Sequence, residues 1–194
     1  YGGDITNPGG PGVKLYDGQA VTWQDFTVHD CGNTGFFVQG ITSAPTGHVL
    51  LGEVWNCGLN LAFDPHAEKG TGLHGVYLGG ATYDLTGCRF GFHVHDQKVG
   101  AAVEVNDLQS SELYVMAERV SFNAQSQTAG NALQFWGSAM AGVTVKYVEG
   151  NDLAGAVVFA GGLSSSTGLQ GSRVEHGRSR NVNTNPRNAG APVY

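Results

Sequence analysis

Six times along the chain an aliphatic residue is followed, three places later, by a small or polar residue suited to a tight turn. The pairs are Val28 with Cys31, Val54 with Cys57, Leu85 with Cys88, Val120 with Asn123, Val148 with Asn151 and Val174 with Gly177. Successive turn residues stand 26, 31, 35, 28 and 26 positions apart. The segments leading into the turns (21–28, 49–54, 81–85, 113–120 and 143–148) read as strands. After each turn comes a second short strand with strict alternation, marked by Phe36 and Val38, Val76 and Leu78, Val103 and Val105, Leu133 and Phe135, Val157 and Phe159. Alternation with period 2 puts each pair on one face, toward a core. A unit of this length cannot bury its apolar face alone and must stack on its neighbours. No segment carries an amphipathic helical period. The expected fold is therefore all-β, a parallel β-helix (β-solenoid) of about six coils.

The 194 residues are 41% hydrophobic and only 13% charged, which excludes disorder despite 31 glycines. These glycines have no three-residue period and fall beside the expected turns. One domain over 1–194 is expected, with coils over roughly 12–178 and a cap or tail over 179–194. A formal charge of −6 argues against a nucleic-acid partner. No apolar run reaches the roughly 18–20 residues of a membrane span. The chain opens on Tyr1 with no secretory leader, which reads as a processed chain or a fragment of a longer protein. A solenoid exposes unpaired backbone at both ends. The Gly- and Pro-rich segment 1–12 does not suit a capping helix. That leaves an irregular cap, a neighbouring part of a parent polypeptide, or association such as a homotrimer.

Cys31, Cys57 and Cys88 fall at the same place in successive expected coils. At about 4.8 Å per strand they would form a buried column of small side chains, continued by Asn123 and Asn151. No CxxC or HxxxH spacing supports zinc, and no metal ligands are assigned.

The strand–turn–strand units, such as Val28-His29-Asp30-Cys31-Gly32 and His74-Gly75-Val76-Tyr77-Leu78-Gly79, resemble the right-handed β-helices of the pectate-lyase-like superfamily over roughly 12–178. The resemblance implies a single-stranded, right-handed winding. It implies no single activity, since the superfamily holds lyases, hydrolases, epimerases, phage tailspikes and adhesins.

Two places could carry chemistry. Outward positions of the second strands read Phe37, Tyr77, Glu104, Gln134, Val158 in one column and Gln39, Gly79, Asn106, Trp136, Ala160 in the next. Aromatic faces beside amides and carboxylates suit a sugar, so Tyr77, Glu104, Gln134 and Trp136 form the expected carbohydrate platform. An ordinary solvated face or an interface between copies is the alternative. Longer segments after two turns, 58–73 and 89–100, bring Asp64, His66, Glu68 and Lys69, then His93, His95, Asp96 and Lys98; His74 opens the adjoining strand. Asp64, His66, His74, His93, His95 and Lys98 are the candidate catalytic rim. Such groups transfer protons near neutral pH or hold a divalent cation, with calcium the cofactor considered. Polar loops also collect these residues without any function.

Phe63-Asp64-Pro65-His66 resembles the Asp-Pro-His motif of mannuronan C5-epimerases. By that resemblance Asp64 and His66 would neutralise a uronate carboxylate and transfer the C5 proton. Leu61 stands where that family has a catalytic tyrosine. For hydrolysis Asp30 and Asp84 are single carboxylates, and for elimination Arg89 and Lys98 are candidate cations. The functional expectation is a carbohydrate-active protein working on an extracellular, uronate-containing polysaccharide by lyase-type elimination. The alternative is a non-catalytic binding or structural module, such as a tailspike or adhesin domain on a virion or cell surface.

Overall fold

The computed structural model describes residues 2–18, 20–58, 74–80, 82–98, 100–121, 130–136, 140–161 and 169–182. These residues form strands and no helix. Sheet I runs in the order β1 (Asp4–Thr6), β3 (Thr22–His29), β5 (Val49–Trp55), β8 (Arg89–His95), β11 (Glu112–Val120), β13 (Thr144–Leu153) and β15 (Arg173–Val174), with β16 (Gly177–Arg180) also paired to β13. Sheet II contains β2 (Val13–Tyr16), β4 (Phe36–Gly40), β6 (Val76–Gly80), β9 (Val103–Val105), β12 (Leu133–Trp136) and β14 (Val158–Gly161), in chain order. A small sheet III pairs β7 (Leu85–Thr86) with β10 (Leu108–Gln109) and is prolonged by the bridges Thr46–Thr86 and Gln109–Ala141. Every ladder is parallel. Parallel neighbours need long crossovers. Here the crossover from one strand of sheet I to the next is made through a strand of sheet II.

Alternation fills the space between the sheets. On sheet I, Val28, Val54, Val94 and Ala117 stand in one row. On sheet II, Phe36, Val76, Val103 and Leu133 do the same. All eight are buried. An aromatic group joins the sheets, with the rings of Phe26 and Phe36 stacked at 4.9 Å and Phe92 against both. Gly52 is the neighbour of Phe26 in the ladder, and a Cβ there would lie 2.4 Å from the Phe26 ring. Only a hydrogen at that position leaves room for it.

Where the chain leaves sheet I, one residue per repeat adopts a left-handed conformation: Asp30, Asn56, Asp96, Arg119, Asp152 and Asn181, with φ between 49° and 54°. Asn and Asp tolerate this region better than other non-glycine residues. The column also binds itself together, since Asn56 donates to Asp30, Arg119 to Asp96 and Asn181 to Asp152.

The register departs from the expected rows after the second repeat. Val54 pairs with Val94 rather than aligning with Leu85, so 89–95 is a strand, where an insertion is expected. Leu85 belongs to sheet III. Cys31 and Cys57 are neighbours, but Cys88 sits beside Ser111, and the place after Cys57 is taken by Gln97. The Gln97 amide bonds both the N–H and the C=O of Cys57. The three-cysteine column therefore does not form. Val148 pairs with Gly177, and Val158 continues the row of Leu133, which puts Phe159 beside Gln134. Segment 1–12 supplies strand β1, and β16 runs into the stretch expected as a tail. The cause is unequal repeats: Phe36 to Val76 spans 40 residues and Val76 to Val103 only 27.

Candidate functional site

On β8 the side chains of Phe90, Phe92 and Val94 point into the core, so His93 and His95 face outward together from sheet I. The neighbouring strand places Glu53 beside His93 and Trp55 beside His95. Glu53 Oε1 lies 3.2 Å from His93 Nδ1 and 3.1 Å from His95 Nε2. The other nitrogen of His95, Nδ1, is 2.7 Å from Asp96 Oδ2. Arg119 grips both oxygens of Asp96, at 2.6 and 2.9 Å, and also reaches Glu118. The Arg119 guanidinium, and then His95, hold the Asp96 carboxyl well below the usual carboxylate range.

The same device occurs once more on this face. Phe26-Thr27-Val28-His29-Asp30 repeats as Phe92-His93-Val94-His95-Asp96. His29 has Nδ1 2.7 Å from Asp30 and Nε2 3.0 Å from Asp4, which sits one strand back just as Glu53 does. The hydrogen bond to Asp30 raises the His29 pKa against the opposing effect of burial, and Asp4 adds to the rise. Trp55 lies between the two imidazoles, stacked on His29 at 4.3 Å and on His95 at 5.3 Å. Further along the face Tyr114 and Met116 are exposed.

Sheet II carries a second polar group, and it is buried. His74 Nε2 meets Glu104 Oε2 at 2.9 Å, and both side chains are about 5% exposed or less. Glu104 also accepts from Asn106 (3.0 Å) and Gln134 (3.0 Å). His74 Nδ1 accepts from the Ala101 N–H at 2.9 Å, so its proton is on Nε2, directed at Glu104. Tyr77 hydrogen-bonds Asn106, and burial pushes its phenol up to about 12. Every member has partners, as a buried polar network requires.

The expected platform and rim are thus rearranged. Tyr77, Glu104 and Gln134 do stand in one row, but Tyr77 and Glu104 are buried rather than open. Both faces of sheet II are packed there, with Tyr77 stacked on Phe37 at 4.9 Å. Trp136 stands outside that row, paired with Gly161, and is exposed beside Phe159. The rim divides because His74 lies just before β6 of sheet II while His93 and His95 lie on sheet I. Lys98 is exposed after β8, where its charge adds a little to a lowering of the Asp30 pKa that the hydrogen bonds from His29 and Asn56 dominate. Asp30 itself is tied to His29 and Asn56, and Asp84 to Gln109, so they do not form a carboxylate pair. Asp64 and His66, with Leu61, Glu68 and Lys69, lie outside the described residues.

Glu53, Trp55 and His29 escape a reading by loop composition. The repeated Val-His-Asp triplet at 28–30 and 94–96 is a signal for His29, whereas Glu53 and Trp55 are brought in by the strand paired beside the second copy. No protein-family model, curated protein or solved structure matches this chain. Among the described residues no helix is long and apolar enough to cross a membrane.

Proposed function

We propose that the chain is a right-handed parallel β-helix that takes a polysaccharide along the outward face of sheet I. All-parallel ladders and the alternation of the chain between two sheets support the winding. The open, mixed chemistry of the face supports the ligand. Trp55, Tyr114 and Met116 supply apolar surface among Glu53, His93, His95 and Glu118, a combination suited to rings with apolar faces and hydroxyl edges. A sugar residue in an extended chain advances by about the spacing of neighbouring strands, so successive rings would meet successive rows. The observation that carries this reading is the contrast between the sheets: the polar row of sheet II is buried and internally satisfied, whereas that of sheet I faces out.

If the chain is a lyase of uronate polymers, His93, the more open imidazole of β8, is the candidate base for the C5 proton as the C4–O bond breaks and an unsaturated uronate forms. Its Nδ1 faces the Glu53 carboxylate, and its Nε2 makes no hydrogen bond but is enclosed by protein, so the ring must turn to bring that nitrogen to a sugar. A non-catalytic module, extracellular or on a virion surface, is favoured by a different observation. Arg89, Arg119, Lys146 and Arg173 are each paired with carboxylates, so these cations are already engaged when a polyanion arrives.

Incubation with uronate-containing and neutral polysaccharides, with and without calcium, separates the two. Absorbance of unsaturated ends that disappears in His93→Ala establishes elimination. Retention of a polysaccharide that is lost in Tyr114→Ala, with no absorbance and a trimeric native mass, establishes the module. No turnover and no retention by folded protein overturns the carbohydrate reading.

A further inference from the structure

His95 is held between two carboxylates. Arg119 donates to both oxygens of Asp96, and the short Nδ1 contact of His95 is an N–H donated to the same carboxylate. In the neutral ring Nε2 then carries a lone pair, and it faces Glu53 Oε1 at 3.1 Å. Two electron-rich atoms at that distance need a positive charge between them. At His29 the same arrangement recurs, with Asp30 on Nδ1 and Asp4 on Nε2. At His95 there is a difference of one residue. Where the first copy of the motif has Thr27, the second has His93, whose Nδ1 approaches the same Glu53 oxygen at 3.2 Å. The two rings thus converge on one carboxylate, with their centroids 5.0 Å apart. A single divalent ion placed between them engages both ring nitrogens and the shared carboxylate oxygen at once.

We infer that Glu53, His93 and His95 form a mononuclear site for a zinc-class divalent transition metal on the outward face of sheet I. One ligand atom from each residue already lies within 4.8 Å of the others. Metal–nitrogen and metal–oxygen bonds of about 2.0–2.2 Å need only modest side-chain closure from there. Alternation makes the set possible, because residues two apart on a strand share a face and the next strand brings the third ligand alongside. Two imidazoles and one carboxylate suit zinc and its neighbours, whereas calcium prefers an all-oxygen shell. Asp96 fixes the His95 ring through its far nitrogen, the support that metal-bound histidines commonly have. Three protein ligands leave a position for water or an incoming oxygen ligand. The site stands whether or not the face binds a glycan.

The test is a calorimetric titration of the full chain with Zn2+ near pH 7.5, repeated in excess Ca2+, with Co2+ as a visible-absorbance probe of coordination. One ion per chain is expected, undisplaced by Ca2+. Affinity falls at least tenfold in His93→Ala, His95→Ala and the near-isosteric Glu53→Gln. Asp96→Asn weakens binding by about 10–100-fold, while His29→Ala leaves it unchanged. No uptake by the wild-type chain overturns the site. So does equal uptake by Glu53→Gln and the His93→Ala/His95→Ala double variant, which would mean an adventitious ion only.

Discussion

Asp17 follows β2 in the left-handed conformation and turns its carboxylate onto the segment that follows β4. It accepts from the N–H groups of Ile41, Thr42 and Ser43 at 2.7, 2.8 and 3.1 Å, and from the Thr42 hydroxyl at 2.7 Å. Led by the Thr42 hydroxyl, these donors lower its pKa from 3.8 to about 2. The folded pKa is depressed, so the stabilisation is complete above the unfolded value and is lost as the pH falls through about 2. Asp17→Asn should therefore melt below the wild type at pH 5, with the gap closing toward pH 2. A gap that stays constant across that range would detach the loop from the carboxylate. Legibility at this scale depended on what each group meets. His93 and His95 could be picked out because imidazoles are rare and chemically versatile. Glu53 could not, because an acidic residue in a polar strand announces nothing until the strand beside it is known.

Strands are the scale at which the sequence spoke most clearly. The apolar pairs of β4, β6, β9 and β12 keep their inward places because period-2 burial is a local property. Register is not local. It depends on how many residues each repeat contains, and the turn that sets it is carried by left-handed Asp, Asn and one Arg rather than by the glycines that draw the eye. That is why Cys88 looked equivalent to Cys57 and why β8 looked like an insertion. Packing across neighbouring strands gives the element-scale prediction. Gly52→Ala pushes a methyl into the Phe26 ring and should cost about 1–3 kcal/mol, lowering the melting temperature by several degrees. Phe26→Leu on the same background should recover part of that loss. Strictly additive effects in the double-variant cycle would show that the contact is relieved some other way.

Stability across the whole molecule should be graded along the stack. β5, β8 and β11 are paired on both edges around the aromatic core, whereas β15 and β16 pair only with β13 and every residue in them is exposed. Where strands pair only with their neighbours in a sheet, openings start at its outer strands. Native-state hydrogen exchange should find the slowest amides in β8 and β11 and little protection in β15 and β16. Uniform protection would instead describe a single cooperative block. The contact between Glu53 and His95 joins residues 42 positions apart, and its geometry is set by adjacent rows alone. Chain length between rows is consequently a free variable. Loops on such a scaffold can lengthen, shorten or be exchanged while the chemistry keeps its coordinates. A residue's address here is a row and a column, and substituting one square of that grid, as His93 for the threonine of the earlier copy, is enough to change what the surface binds.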